Sequence, residues 1–354
     1  MGASGATTAL GSGAAPARPT RRRRIVGRTV SLALTLLGLM ALTFLMGRLL
    51  PADPVLVVTG FEVDRATYER VYLELGLDRP VWQQFLSYVG NVLQGDLGLS
   101  TTTGQPVARD LLRVFPATFE LALTAVIVGS LLGIPLGIVA AVHRGKLIDH
   151  IARIIGLAGY SIPIFWMGLM ALLVFYAKLR WVGASGRVDV YYEGLVPAVT
   201  GLLLVDSAIA GDWTVFKSAF SHLILPASVL GYYSTAYISR MARSFMLEQL
   251  GQEYIIAARA KGLPQRGVIW RHAFKNIRVQ LLTVVALVFA GLLDGTVLVE
   301  TVFGWPGVGQ YLTRGLTFND MNVVMGTVLV IGIMFLAINT ISDWLYRRLD
   351  PRTR

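Results

Sequence analysis

Residues 257–276, AARAKGLPQRGVIWRHAFKN, place five basic side chains and a histidine between two strongly apolar regions. Basic groups at that density suit contact with nucleic acid or anionic lipid, or mark the cytoplasmic side of a membrane. Groups able to do covalent chemistry are few. The chain has no cysteine, which excludes disulfides and thiolate metal sites, and four histidines, at 143, 150, 222 and 272, leave little for a metal cluster. No Ser/Lys arrangement or histidine pair stands out within an apolar run, so no catalytic site is expected. Arg144-Gly145-Lys146-Leu147 is the nearest fragment to a phosphate-binding loop. It lacks the earlier glycine and the Ser or Thr that would hold magnesium, and reads as a tight cytoplasmic turn. No nucleotide-hydrolysing site is therefore expected in this chain.

Composition decides what kind of element carries these residues. Hydrophobic residues make up 54% of the chain and charged ones 15%, with a mean hydropathy of +0.60; soluble domains carry about a quarter charged. An all-α polytopic membrane protein is the class that fits. A helix rises about 1.5 Å per residue and hydrocarbon is about 30 Å thick, so a span needs roughly 20 apolar residues. Runs without charge or histidine cover 29–47, 121–142, 154–177, 223–239, 279–293 (resuming after Asp294 to 299) and 321–342, which predicts six transmembrane helices. The first run exceeds the core of a secretory signal and no convincing cleavage site follows it, so it reads as an uncleaved span. Residues 194–205 contain Pro197 and suit an interfacial or re-entrant piece rather than a seventh span.

Loop charge orients the bundle. Of the net +11, the segments 143–153, 240–278 and 343–354 are each basic, whereas 51–113, 178–217 and 300–320 are acidic or balanced. Lys and Arg accumulate on the cytoplasmic side, which places both termini there. The domain plan is then a disordered basic tail over 1–28, a first span over 29–48, and an extracytoplasmic loop over 49–114 with short helices near 65–74 and 80–93. A five-helix core over 115–346 contains the large inner loop at 247–276, and 347–354 form a cytoplasmic tail.

The basic segment lies in that inner loop. Positive-inside bias already explains its charge, and it lacks an aromatic stacking platform, so nucleic acid is not an expected partner. Its small residues say more: Ala257, Ala258, Ala260 and Gly262 remove bulk within six positions, and Gly262-Leu263-Pro264 ends a helix. A short helix with a flat small-residue face suits insertion into a groove of another protein. Gly129, Gly133 and Gly137 repeat every four residues and predict a helix-packing stripe, with Pro135 beside it as a site for a kink. Asp294 is the single ionisable residue inside a span and should face the pathway, a partner helix or the outer interface.

The stretch from Glu253, EYIIAARAKGLPQRGVIWRHAFKN, resembles the cytoplasmic coupling loop of ABC importer permeases, specifically the membrane subunits of the dipeptide and oligopeptide uptake family. LPADP at 50–54, LGLDRPVWQQF at 75–85, QGDLGLS at 94–100, VLVETVFGWPGVG at 297–309 and DWLYRRLDPR at 343–352 are similar as well. Ile256 stands where the general importer signature has Glu, and Gln280 where this branch usually has Pro, which predicts a straight start to the fifth span. The resemblance implies a type I ABC importer permease fold in a bacterial plasma membrane. It implies pairing with a homologous second permease, two ATPase subunits that hold ATP and Mg, and an extracytoplasmic solute-binding protein. Glu253, Ala257, Ala258, Ala260, Lys261, Gly262 and Leu263 would be the ATPase-coupling residues. Trp305, Pro306 and Gly307 would lie by the outer gate, with anchoring of Trp305 in the headgroup belt as the competing reading. Glu300, at the start of that loop, would pair with a basic residue of the partner permease or with water. A secondary transporter is the alternative function class; only Asp294 supports it, and co-purifying ATPase chains would separate the two.

Overall fold

The computed structural model describes residues 21–49, 54–60 and 63–349. The expected tail lies outside these residues up to Thr20. From Arg21 onward the arginines assigned to it are drawn into the first helix, α1 (Arg21–Leu49). Short helices follow in the segment expected to lie outside, called outer from this point: α2 (Pro54–Thr59), α3 (Arg65–Glu74) and α4 (Val81–Leu93). Asp64 caps α3 by accepting from the backbone N–H of Thr67 at 3.0 Å. Phe44 of α1 packs against Phe85 and Tyr88, which fixes α4 to the end of the first span.

The core begins with α5 (Val107–Val142), then α6 (Leu147–Ser161) and α7 (Ile164–Ala171), which runs into a π-helical segment over Leu172–Lys178. The sequence predicts one span over 154–177, but the chain bends there by 99° between α6 and Ile164–Lys178. The cause is Pro163: a residue before proline is pushed out of the helical region, and Ile162 is extended at φ −89°, ψ 123°. Beyond an irregular outer segment come α8 (Leu203–Ile209) and α9 (Trp213–Leu250), then α10 (Glu253–Ala260), α11 (Gln265–Gly267) and a π-helical segment Val268–Ala273. The chain ends with α12 (Phe274–Phe303), α13 (Val308–Thr317) and α14 (Met321–Leu349). α12 passes Gln280 without a break.

Among the described residues four stretches are long and apolar enough to cross a membrane: Val30–Arg48, Val107–Val142, Gln265–Leu293 and Met321–Ser342; the bent pair would add a fifth. α9 is 38 residues long, about 57 Å at the helical rise, but its buried face carries Ser218, Ser234, Thr235 and Ser239. The hydroxyls of Ser234 and Thr235 donate to Leu230 and Gly231 carbonyls at 2.9 and 2.7 Å, which satisfies them within their own helix.

α5 and α9 form the centre of the bundle because glycines of α5 lie where the two helices meet most closely. A Cβ on Gly129 would lie 2.3 Å from Ser234 Cβ, on Gly133 3.0 Å from the Thr235 carbonyl oxygen, and on Gly137 2.4 Å from that of Ser239. Small residues every four positions let two backbones approach this closely. Residues 194–205 form no span; they cross into α8, where Asp206 accepts from Thr200 and Gly201 at 2.7–2.9 Å.

Candidate functional site

At the end of the bundle that loop charge assigns to the cytoplasm, the inner end, Gly251 caps α9 and the chain turns into α10. α10 stops after two turns because Gly262 adopts φ +76°, a conformation that excludes most side chains, and Pro264 follows. One face of the helix is cemented to the bundle. Ile255 and Ala258 pack among Ile138 and Ala141 of α5, Ala242 and Met246 of α9, and Ile277 and Leu281 of α12. Tyr254 adds a clamp: its hydroxyl donates to Gln249 Oε1 at 2.8 Å and accepts from Asn276 Nδ2 at 2.9 Å.

The opposite face is open and carries Glu253, Ile256, Ala257 and Ala260, continuing to Lys261, Gly262 and Leu263. Their spacing of three and four puts the first four on one stripe. Ala258 does not belong to it: only 6% exposed, it faces the bundle, which corrects its sequence assignment to the docking face. Ile256, 59% exposed, takes its place as the bulky apolar group on that face. The sequence singled out Ile256 only as a departure from a signature; its spacing from Glu253 and Ala260 was the signal for its position.

Sequence reasoning missed the neighbouring clasp. Gly145, at φ +78°, turns the chain so that its N–H donates to Asp149 Oδ2 at 3.0 Å. The same carboxylate, 2% exposed, accepts from Arg243 Nε at 2.6 Å and from its terminal nitrogen at 2.9 Å. A bidentate pair of this kind is directional and strong. It ties the start of α6 to α9 two turns before α10. An acid standing alone in a basic loop was the only trace of it in sequence.

The outer end is built differently. Glu300 lies inside α12 with no exposed surface, not at the head of a loop. It accepts from Thr118 Oγ1 at 2.6 Å and from the N–H groups of Gly309 and Gln310 at 2.7 and 3.1 Å, so it caps the first turn of α13. This burial removes the exposed pairing expected for Glu300. Trp305 is 1% exposed and donates from Nε1 to the Ala117 carbonyl at 2.9 Å. The headgroup-belt reading of Trp305 fails for that reason: its ring fills the top of the core. Pro306 follows it in the tight turn, and Gly307 is demanded by packing, since a Cβ there would lie 2.4 Å from Thr118 Oγ1 and 2.5 Å from the Glu300 carboxyl carbon.

Three more buried carboxylates tie the remaining outer segments. Glu120 accepts from Arg187 at 2.6 and 3.0 Å and from the Leu204 N–H at 2.9 Å. Asp320 accepts from Ser100 Oγ and the Thr102 N–H, and Asp110 from the Tyr311 hydroxyl at 3.1 Å. Burial, reinforced by Asp110, raises the Tyr311 phenol well above its usual range, so it stays a donor. Burial alone would raise Asp206, but the hydrogen bonds from Thr200 and Gly201 outweigh it and hold the carboxyl below its ordinary value. Asp294 lies on α12, and its side chain is outside the described residues. Among the described residues no three of His, Asp and Glu converge as metal ligands.

Residues 133–354 match the family model described as binding-protein-dependent transport system inner membrane component, and residues 22–122 match the N-terminal model of the same kind of membrane component. The chain is 42% identical over 321 residues to the di/tripeptide transport system permease protein DppB of Pseudomonas aeruginosa, covering 90% of this chain and 95% of the relative. It is 42% identical over 323 residues to the dipeptide transport system permease protein DppB of Escherichia coli K12, with the same coverage. A probable D,D-dipeptide transport system permease protein, DdpB, of that strain is 40% identical, covering 92% and 95%. Among solved structures, an inward-facing MetNI methionine ABC transporter chain aligns with a TM-score of 0.51 at 17% identity, covering 68% of this chain and 96% of that one, a likeness of fold.

Proposed function

The chain belongs to the family of binding-protein-dependent transport system inner membrane components, and from that premise we propose that it is the peptide-pathway subunit of an ATP-driven importer. Six crossings suit it: α1, α5, the bent pair, α9, α12 and α14, with both termini in the cytoplasm. A homologous second permease completes the pathway, a solute-binding protein delivers peptide from outside, and two ATPase subunits below carry ATP and Mg.

The observation that carries this reading is the two-sided character of α10. Its outward stripe of Ile256, Ala257 and Ala260 is open to a partner, while Ile255 and Ala258 are locked into the ends of α5, α9 and α12. A partner that grips the first face must move the second. Close packing has low compressibility, so a displacement of α10 passes to the helix ends without being absorbed. α9 is the lever, running unbroken from the outer segments to the grip. The Asp149–Arg243 clasp recruits α6 to the same movement. Alternating access then needs no chemistry in this chain.

Purification of the chain from its native membrane should bring ATPase subunits with it. Ala257→Trp, which fills the flat stripe, should abolish that association without altering the fold. Retention of the ATPases by the Trp variant would refute the grip, and peptide uptake by vesicles containing this chain alone would refute ATP-driven import.

A further inference from the structure

α9 turns Tyr233, Tyr237, Arg240 and Ser244 onto one face, at spacings of four, three and four. This is not the face that meets the α5 glycine stripe, which carries Ser234, Ile238 and Ala242. Tyr160, in the last turn of α6, stands beside it. The Tyr160 ring lies 5.4 Å from that of Tyr233, edge to face, and 6.4 Å from that of Tyr237. The Arg240 guanidinium lies over both, 4.9 Å from the Tyr160 ring centre and 5.4 Å from that of Tyr237. Tyr160, Tyr233 and Arg240 are exposed and Tyr237 partly so. Among the described residues none of the three phenol hydroxyls has a hydrogen-bond partner, and Arg240 has no carboxylate.

Such a face is costly against lipid, because a cation and unpaired hydroxyls in hydrocarbon are each unfavourable. The direction of Arg240 sharpens the point. Helical side chains lean toward the N-terminus of their helix, and α9 descends from the outer segments to α10. Arg240 therefore leans toward the middle of the bundle and stacks on Tyr237, one turn deeper, whereas a snorkelling arginine reaches for the nearer water. A basic group held this way needs a wet surface and an anion to meet.

We propose that Tyr160, Tyr233, Tyr237 and Arg240 form a station on the wall of the translocation pathway that receives small peptides by their free C-terminal carboxylate. The proposal rests on the peptide-import reading above and adds the residues and the chemistry that reading leaves open. Arg240 pairs with the carboxylate, the phenol hydroxyls exchange hydrogen bonds with the peptide backbone, and the ring faces accept varied side chains without selecting among them. Selection by side chain is left to whatever delivers the peptide.

This chain has no native cysteine, so an introduced thiol is the only one it carries. Tyr233→Cys, and Leu34→Cys on the exposed face of α1 as the comparison, are placed in the assembled transporter in vesicles. Each is labelled with an anionic and with a cationic methanethiosulfonate of similar size. Tyr233→Cys should react about tenfold faster than Leu34→Cys and favour the anionic reagent, as a focused positive charge requires. Adding Arg240→Gln should erase that preference, and millimolar dialanine should slow the labelling more than dialanine amide does. A Tyr233→Cys thiol as inert as Leu34→Cys, equal rates with both reagents, or equal protection by acid and amide would each overturn the proposal. ATP-driven dipeptide uptake is measured alongside in the unsubstituted transporter: uptake without the labelling pattern removes only this station, whereas absence of uptake removes the import reading and the station with it.

Discussion

The two ends of the bundle are held by different physics. At the outer end, Asp110, Glu120, Glu300 and Asp320 are buried carboxylates, each accepting two or more hydrogen bonds of which at least one comes from a segment remote in sequence. At the inner end, α10 rests on alanines and isoleucines, and a single bidentate ion pair ties α6 to α9. Directional bonds fix one geometry and fail together; apolar contact holds tightly but leaves a smooth, small-residue face to be seized. The outer cap is therefore the more rigidly fastened end, and the inner knob is the end suited to the proposed role of a handle.

Substitutions at the two ends should separate these roles. The largest effect on the folded state is expected from Arg243→Ala, which leaves the Asp149 carboxylate only the Gly145 N–H and Arg153 at 4.0 Å and costs about 1.5 to 3 kcal/mol. Thermal unfolding of the purified chain would measure it, and an Asp149→Ala, Arg243→Ala double variant should lose less than the two single losses added together. Because the clasp belongs to the handle side, the double variant should also hydrolyse more ATP per peptide moved. Glu300→Ala comes next. It leaves Thr118 and two buried N–H groups unmet, at about 1 to 3 kcal/mol, and should lower the unfolding temperature without loosening ATPase binding. Gly137→Ala, which forces a methyl to 2.4 Å from the Ser239 carbonyl oxygen and 2.7 Å from the Ala242 Cβ, should cost about 1 to 3 kcal/mol. It should impair the inner end more than the outer, since it pushes α5 off α9 beside the clasp.

The smallest effect concerns acid. Asp206 has a depressed folded-state pKa, so its contribution is present above its unfolded value of about 3.9 and is lost as pH falls through the folded value. Stability of the outer cap should decline below about pH 4, and Asp206→Asn should flatten that decline. Proteolytic nicking of the segment 179–212 across that range reports it directly.

Much of the handle is legible in sequence. α10 ends at Ala260, where the Gly-Leu-Pro stop predicts, because that is a local signal. Arg65–Glu74 and Val81–Leu93 likewise follow from local helical spacing. Ala258 was misplaced because the register of a two-turn helix against its bundle is set by tertiary contacts. The pairing of Ile255 with Ala258 three positions on was the available hint. The bend at Pro163 was also written in the chain, but counting uncharged residues passes over it. The outer cap and the inner clasp were illegible for another reason: in the cap Thr118 meets Glu300 across 182 positions and Trp305 meets Ala117 across 188, and in the clasp Asp149 meets Arg243 across 94. No periodicity within a segment encodes such partners.

The handle itself can be tested by cross-linking in this cysteine-free chain. Ala257→Cys and Ala260→Cys in intact membranes should each cross-link through a short bifunctional reagent to an ATPase subunit, and should resist impermeant thiol reagents added outside the cell. Labelling from the outside, or cross-links to the solute-binding protein instead, would contradict the cytosolic grip on which the mechanism stands.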